Sequence, residues 1–189
     1  MRDLRYIFSM PKIYITGVSG TGKSTLAAEL NKRGFLAFDV DVVPGLCHWQ
    51  DKETKEMAEY SYGADKEWLA AHDWVADEEQ LSKLLKKADT VVVLGMTSNQ
   101  ERYFHLFDKI FLLRCSPEVF ISRIDARTNN DFGKGKSEQE HILSWHKNFE
   151  KRMIDKGAVP INTEQPIEAV AEIIFRSDNE PRNEISNQK

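Results

Sequence analysis

A glycine-rich segment at residues 17–24, GVSGTGKS, constrains this chain more than any other feature. It follows a short β-rich run at 12–16 and precedes a stretch at 24–33 whose apolar residues recur at helical spacing. In a strand, glycine-rich loop and helix of this kind, backbone N–H groups turn inward around phosphate oxygens at the positive end of the helix. The segment therefore predicts a P-loop that binds a nucleotide. A chance glycine-rich turn is the alternative.

The residue types within this loop predict separate tasks. Lys23 has the length to reach the β- and γ-phosphates, and the Ser24 hydroxyl is suited to ligate Mg²⁺. Glycine gives the loop backbone conformations that are closed to other residues. The residues of the loop predicted to bind the nucleotide are Gly17, Ser19, Gly20, Thr21, Gly22, Lys23, Ser24 and Thr25.

Length and composition exclude several classes of protein. The chain has 189 residues, enough for one α/β domain with a core, and its net charge of −4 gives no basic footprint for nucleic acid. Its apolar runs are far too short to span a membrane. The first nine residues lack the apolar segment of a signal peptide, so we expect a cytoplasmic protein, and Met10 is an alternative start to Met1.

Strands alternate with helices along the chain. This order predicts a three-layer α/β/α domain around a five-stranded parallel sheet. The predicted strands lie at 12–16, 35–41, 89–95, 109–115 and 159–162. A single domain, 1–189, then comprises the P-loop and second strand (10–47), a helical region (48–88), a mobile loop (128–137) and a flexible tail (177–189). Ser137 and Glu140 form a predicted capping box for the helix that follows the loop.

Two carboxylates, Asp39 and Asp41, end the second predicted strand. Side chains two apart on an extended segment point the same way, and ligands bind at the carboxyl ends of parallel strands. We expect Asp39 to orient a Mg²⁺-bound water and Asp41 to lie nearer the substrate, where it would take a proton from a hydroxyl. An Asx-type turn beside Pro44 and Gly45 is the alternative.

Polar and aromatic residues elsewhere are further candidates for the substrate site. Thr97, Ser98 and Asn99 follow the central strand and are predicted to contact the substrate. Five aromatic residues in the helical region either line a pocket or form the core of a helical cap. They are Trp49, Tyr60, Tyr62, Trp68 and Trp74.

Four segments together resemble the small P-loop kinases related to nucleoside monophosphate kinases and shikimate kinase. The P-loop is the first. Residues 38–41, FDVD, resemble the D-x-D strand end of shikimate and gluconate kinases. Residues 121–127, ISRIDAR, are similar to the Arg-x-x-x-Arg helix that leads into the LID of adenylate kinases. Residues 159–163 with Pro166 resemble the segment that covers the adenine. The resemblance spans residues 12–175.

The resemblance implies ATP and Mg²⁺ as cofactors. It places Arg123 over the adenine and Arg127, a catalytic candidate with Lys23 and Asp41, on the phosphates. It also implies that 128–136 is a LID, mobile without nucleotide and closed over it. The adenine contacts that it implies are Asn162, Thr163 and Pro166. Because no acidic residue ends the strand at Leu94, Mg²⁺ would rely on Ser24, phosphates, water and Asp39.

The leading function is ATP-dependent phosphoryl transfer to a hydroxyl of a small, unphosphorylated molecule, by a monomer or homodimer. One alternative is a nucleoside monophosphate kinase, although residues 48–81 contain no arginine that could hold a phosphorylated acceptor. A P-loop ATPase or nucleotide switch that acts through a partner is a second alternative. Arg152 is predicted either to close onto the phosphates or to pair with Asp155.

Overall fold

The computed structural model describes residues 11–128 and 130–178. Its main sheet has five parallel strands in the order β2-β6-β1-β7-β8. These strands are β1 (Lys12–Thr16), β2 (Ala37–Asp39), β6 (Val91–Leu94), β7 (Lys109–Arg114) and β8 (Val159–Asn162). The predicted parallel sheet is confirmed, with β1 at its centre.

Helices cover both faces of this sheet. The main helices are α1 (Lys23–Lys32), α3 (Glu78–Leu85), α4 (Pro117–Ala126), α5 (Lys136–Asp155) and α6 (Ile167–Asp178). A 3₁₀ helix, Gln100–Leu106, follows β6. Side chains alternate along β1, so Ile13 and Ile15 pack with α1 and α6, whereas Tyr14 packs with α3 on the other face. The helices α4 and α5 share that second face through Leu112 of β7. This is the predicted three-layer fold.

The region at 48–88 differs from its prediction as a wholly helical region. It contains a second, antiparallel sheet in the order β4-β3-β5, together with the helices α2 and α3. The elements not yet given are β3 (Cys47–Asp51), β4 (Met57–Ala58), α2 (Lys66–Ala71) and β5 (His72–Ala76). Trp49 and Trp74 lie opposite each other across β3 and β5. Cross-strand aromatic pairs stabilise a sheet, and this pairing overrides the helical spacing read from the sequence.

The start of α5 also differs from the prediction. Its N-cap is Gly135, and the carboxylate that closes the cap is Glu138 rather than Glu140. Glu138 Oε2 accepts hydrogen bonds from the backbone N–H of Gly133 at 2.9 Å and of Gly135 at 3.0 Å. Its Oε1 accepts one from the hydroxyl of Tyr60. Glu138 is fully buried, because three donors from two segments converge on it.

The ends of the chain lie largely outside the described residues. The alternative start at Met10 falls there, as does the predicted flexible tail from residue 179 onward. The first two residues of that tail, 177 and 178, belong to α6, which therefore extends three residues past its predicted end at Phe175. No helix in the described part of the chain is long and apolar enough to cross a membrane.

Candidate active site

The P-loop connects β1 to α1 at the carboxyl edge of the main sheet. Gly20 and Gly22 adopt positive φ angles of 81° and 97°. At Gly20 a Cβ atom would lie 2.3 Å from the carbonyl oxygen of Phe120, so only glycine fits between the loop and α4. Gly22 is the N-cap of α1, which begins at Lys23. The loop therefore turns its backbone toward the start of α1, as the motif predicts.

The backbone of the P-loop positions the side chain of Lys23. Its Nζ donates hydrogen bonds to the carbonyl oxygens of Gly17 at 2.6 Å and Val18 at 3.1 Å. Burial lowers the pKa of Lys23, and the carboxylates of Asp41 and Asp39 oppose that fall. The ammonium group is thus positioned by the backbone and stabilised in its charged form by two nearby anions.

The loop opens onto a cavity of about 690 Å³, which we term the phosphate cavity. The predicted site residues that line it are Ser19, Gly20, Thr21, Gly22, Lys23, Ser24, Thr25, Asp39, Asp41, Arg123, Arg127 and Thr163. Sequence reasoning missed several lining residues of a different kind, mostly apolar or amide side chains. These are Val42, Leu113, Ala126, Asn130, Gln165, Ile167 and Val170. The phosphate cavity therefore joins the P-loop, the acidic pair and both arginines.

The acidic pair lies on the phosphate cavity, but the two carboxylates have different partners. Asp39 is 6% exposed, and its Oδ1 accepts a hydrogen bond from the Asp41 N–H at 3.1 Å. This bond is the Asx-type turn that was the alternative reading, so the turn and the shared cavity occur together. Because β2 ends at Asp39, Asp41 lies in the turn beyond the strand. Asp41 Oδ1 accepts a hydrogen bond from Trp74 Nε1 at 3.0 Å.

The surroundings of Asp41 change its acidity. Asp41 is an exposed residue by surface area, but its carboxylate is partly buried beside Lys23 and Trp74. This burial raises the pKa of Asp41. Charges and a hydrogen bond modify the rise: Lys23 and the Trp74 N–H lower the pKa, and Asp39 raises it. The result is a carboxylate that is more basic than usual, beside the lysine of the P-loop.

Arg123 and Arg127 both line the phosphate cavity, but their backbone conformations differ. Arg123 lies within α4 and donates to Thr163, from Nη1 to Oγ1 at 3.2 Å and from Nη2 to the carbonyl oxygen at 2.7 Å. Arg127 was expected on the same helix face, but α4 ends at Ala126 and Arg127 has extended backbone angles. Arg127 instead donates to the carbonyl oxygens of Asn130, at 3.0 Å, and Phe132. It therefore ties the loop predicted as a LID to the phosphate cavity.

The segment expected to cover the adenine contributes in part. Thr163 and Gln165 line the phosphate cavity beside Ile167. Asn162 and Pro166 do not line it, and Asn162 Oδ1 instead accepts a hydrogen bond from the N–H of Glu164 at 2.9 Å. Gly17 also lies behind the cavity wall, where its carbonyl oxygen holds Lys23. A polar turn with an apolar floor thus occupies the end of the cavity beyond Arg123.

The polar residues after β6 lie away from the phosphate cavity. Thr97 is buried, and its hydroxyl lies 2.5 Å from that of Tyr103. Asn99 bonds the backbone of Ala76 in β5 through both of its amide atoms, at 2.8 and 3.0 Å. Ser98 donates its backbone N–H to the carbonyl oxygen of Trp74 at 2.7 Å. Ser98 and Asn99 therefore hold the small sheet against the loop that follows β6, and Thr97 anchors that loop to Tyr103.

A second cavity of about 540 Å³, which we term the aromatic cavity, has Trp74 in its wall, and Trp74 bonds to Asp41 on the wall of the phosphate cavity. Its wall includes Trp49, Trp74, Met96, Thr97, Ser98, Phe132, Trp145, Asn148 and Arg152. Phe132 and Trp145 were missed, because nothing in the sequence links the LID and α5 to the small sheet. Arg152 was expected at the phosphates or paired with Asp155. It pairs instead with Glu101, with 2.9 Å from Nε to Oε1.

The residues expected to hold Mg²⁺ fit that ion chemically. Ser24 and Asp39 both line the phosphate cavity and offer a hydroxyl and a carboxylate oxygen. Mg²⁺ keeps several waters and takes few protein ligands beside phosphate oxygens, so two such groups suit it. No cluster of three or more His, Cys, Asp or Glu side chains that could hold a metal occurs in residues 11–128 and 130–178.

The arrangement so far is a P-loop with an acidic pair at the carboxyl edge of a parallel sheet. Residues 13–144 match the profile of a family described as AAA domain. The chain belongs to this family. No curated protein matches the chain.

Solved structures share its fold. A deoxyadenosine kinase from M. mycoides with bound dATP is 19% identical, with 90% of this chain and 100% of that chain covered and a TM-score of 0.58. A shikimate kinase from Acinetobacter baumannii in complex with shikimate is 16% identical, with 89% and 93% covered and a TM-score of 0.58. A gluconokinase from Sinorhizobium meliloti 1021 is 18% identical, with 90% and 92% covered and a TM-score of 0.51. The resemblance to small P-loop kinases is therefore confirmed at the level of the fold.

Proposed function

We propose that this protein transfers the γ-phosphoryl group of ATP to a hydroxyl of a small, unphosphorylated molecule. The hydroxyl oxygen forms a bond to the γ-phosphorus, the bond from that phosphorus to the β–γ bridging oxygen breaks, and ADP leaves. The proton of the hydroxyl passes to the carboxylate of Asp41. Such a transfer needs positioning and charge neutralisation more than covalent help from the protein.

The observation that carries this proposal is the position of Asp41. Its carboxylate shares a cavity with Lys23 and the P-loop, and partial burial raises its pKa, which makes it a stronger base than an ordinary aspartate. A base is needed when the nucleophile is a hydroxyl that must lose its proton. The opposite charges of Lys23 and Asp41 also fit a γ-phosphate bound by one and a nucleophile held by the other.

The other groups of the phosphate cavity have supporting tasks. The loop amides and Lys23 hold the β- and γ-phosphates, and Arg127 neutralises charge that develops during transfer. Ser24 and Asp39 would hold Mg²⁺, which would supply further charge neutralisation when bound. Arg123 and Thr163 form one wall of the proposed adenine end, where Ile167 offers an apolar surface.

Among the alternatives, a nucleoside monophosphate kinase needs cations for the phosphate of its acceptor. Between Arg33 and Arg102 the sequence has no arginine, and the lysine on the aromatic cavity, Lys52, lies 3.8 Å from the carboxylate of Asp73. An ATPase or switch needs a group that activates water beside the γ-phosphate. At the end of β6, where such a group often lies, Gly95 packs so tightly on Val40 that a Cβ would lie 2.1 Å from its Cγ2.

A panel of acceptors tests the proposal. ATP consumption is measured with sugars, hydroxy acids, nucleosides and nucleotides, and with no acceptor. We expect turnover that depends on an unphosphorylated hydroxyl compound and yields its phosphate ester, with Asp41→Asn inactive on the same compound. Equal ATP hydrolysis with and without every acceptor would support the switch or ATPase instead. The proposal includes a monomer or homodimer in the cytoplasm, with no nucleic-acid or membrane partner.

A further inference from the structure

Five large aromatic rings gather where the small sheet meets the LID. Trp49 is central: its ring centroid lies 5.0 Å from that of Trp68, 5.5 Å from Trp74, 5.8 Å from Tyr60 and 5.9 Å from Phe132. We term these five residues the aromatic cluster. All five side chains are half-buried, and one of them, Phe132, also packs against the buried core formed with α4 and α5. Rings that serve only as core are normally covered, so this cluster has surface left for a ligand.

An unpaired donor lies on the same cavity. The indole Nε1 of Trp145 is buried and has no hydrogen-bond partner among the described residues. Trp145 lines the aromatic cavity, next to Asn148 one turn further along α5. A buried N–H without a partner destabilises the fold, so an acceptor supplied by a water or by a ligand would stabilise it. A flat ring with a nitrogen or oxygen acceptor on its edge would supply that group.

The side chain of Trp74 links the aromatic cavity to Asp41, the proposed base. Trp74 lines the aromatic cavity with its ring, and its Nε1 donates to Asp41 on the phosphate cavity at 3.0 Å. A molecule seated against Trp74 therefore lies next to the proposed base. A ring on one side and a short arm reaching past Trp74 would bring a hydroxyl to Asp41.

We propose that the phosphate acceptor is an uncharged molecule with a flat aromatic ring and a hydroxyl-bearing arm, and that the aromatic cavity binds its ring. This inference rests on the proposed kinase function. The ring stacks against Trp49 and Trp74 and accepts a hydrogen bond from Trp145 Nε1. The arm extends past Trp74 so that its hydroxyl meets Asp41.

The charges around the cavity favour an uncharged ring. Lys52 Nζ lies 3.8 Å from Asp73, and Arg152 pairs with Glu101, so both cations on the wall have anionic partners. Burial and the charge of Lys52 lower the pKa of His141, which favours its neutral form. An anionic acceptor would have to compete for paired cations, and a quaternary ammonium would lie beside two of them. A neutral ring would neither compete for these paired cations nor place another positive charge beside Lys52 and Arg152.

Binding and turnover measured separately test this site. The probes are adenosine and 3-hydroxymethylpyridine, which carry a flat ring and a hydroxyl arm, and gluconate and shikimate, which carry hydroxyls without an aromatic ring. Isothermal titration calorimetry of the full chain measures binding without ATP, and formation of a phosphate ester measures transfer. We expect at least one ring-bearing probe to bind more tightly than either ring-free probe.

Two variants locate the bound ring. Trp145→Phe keeps the ring and removes the N–H, so affinity for the ring-bearing probe should fall roughly two- to tenfold. Trp49→Leu removes a stacking face, so affinity should fall about five- to a hundredfold. Tyr62→Ala is the matched control, because Tyr62 is 65% exposed and outside the aromatic cluster, and it should bind as the wild type does.

The outcomes separate this inference from the kinase function. Tight binding of gluconate or shikimate in preference to both ring-bearing probes would overturn the ring site, and their phosphorylation would leave the kinase function standing. Unchanged affinity in both Trp145→Phe and Trp49→Leu, or no binding of either ring-bearing probe, would also overturn it. A ring-bearing probe that binds in a Trp49-dependent way but is never phosphorylated would support the ring site and count against the kinase function.

Discussion

The phosphate cavity and the aromatic cavity are linked by the hydrogen bond between Trp74 and Asp41, and they are built in opposite ways. Seven lining residues of the phosphate cavity come from one uninterrupted segment, residues 19–25. The aromatic cavity is assembled from β3, β5, the loop after β6, the LID and α5. A backbone loop can hold phosphate in any chain with the right glycines, whereas side chains from distant segments distinguish one acceptor from another. The first cavity therefore indicates the reaction class, and under the proposal above the second would set the substrate.

The largest effect is expected at the centre of the phosphate cavity. Lys23→Ala should lower turnover by at least about 10³-fold with every acceptor, because it removes the cation that stabilises charge on the transferring phosphoryl group. Affinity for a ring-bearing probe should stay unchanged, since Lys23 does not line the aromatic cavity. Steady-state kinetics and calorimetry measure the two effects. Lys32→Ala, at the exposed end of α1, is the control. Wild-type turnover in Lys23→Ala would contradict the P-loop assignment.

Asp41 lies at the boundary of the two cavities and is expected to show the next largest effect. Asp41→Asn keeps an oxygen for the Trp74 hydrogen bond but loses basicity, so turnover should fall by about 10²–10⁴-fold. ATP affinity should change little, because loop amides, Lys23 and Ser24 hold the phosphates. Asp39→Asn is the companion variant, and it should raise the Mg²⁺ concentration needed for half-maximal turnover. If Asp41→Asn loses ATP affinity but keeps full turnover at saturating ATP, then Asp41 contributes to nucleotide binding and not to proton transfer.

The same contrast explains which parts of the fold were readable from the sequence. The strand, loop and helix around Lys23 are contiguous, so local spacing and glycine positions were enough to predict them. The small sheet depends on Trp49 and Trp74 meeting across strands from distant parts of the chain, and β3 is half-buried along its whole length. It therefore shows no clean alternation of apolar and polar residues, and the segment was assigned to helix by mistake.

The capping error at α5 has a similar origin. Ser137 and Glu140 fit the local capping pattern, but Glu138 forms the cap because Tyr60, far away in the sequence, bonds to its second oxygen. The Trp74–Asp41 bond and the place of Trp145 on the aromatic cavity were unreadable for the same reason. The contiguous P-loop motif was enough to predict a phosphate-binding loop. The residues that form the neighbouring aromatic cavity could be identified only from tertiary contacts.

Glu138 caps α5, the helix that contributes Trp145 and Arg152 to the aromatic cavity. Its substitution therefore tests how much this cap stabilises that side of the site. Glu138→Ala should lower the free energy of unfolding by about 2–4 kcal/mol, because it leaves the N–H groups of Gly133 and Gly135 without their acceptor. Glu140→Ala is the matched control on the same helix. It removes an exposed ion pair with Lys66 and should change the free energy of unfolding far less than Glu138→Ala does. Urea denaturation measures both, and equal losses would contradict the observed cap.

The smallest effect is expected at the wall between the two cavities. The hydrogen bond from Trp74 Nε1 stabilises the charged form of Asp41 and so lowers its pKa, against the larger rise caused by burial. Trp74→Phe removes the donor and keeps an aromatic ring. The pKa of Asp41 should therefore rise further. Because the base must be deprotonated to act, activity should be lost at a higher pH as the solution is acidified.

The pH dependence of kcat/KM, measured with a ring-bearing acceptor, tests this expectation. The acidic limb of the Trp74→Phe profile should move to higher pH than that of the wild type, while turnover on the alkaline side of that limb stays nearly the same. Trp68→Phe is the control, because it removes an indole N–H from the aromatic cluster but leaves the bond to Asp41 in place. An acidic limb at the same pH in all three proteins would show that Asp41 is not the group whose deprotonation limits the reaction. The base would then belong elsewhere on the phosphate cavity, and Trp74 would be a wall between the two cavities without influence on the proton transfer.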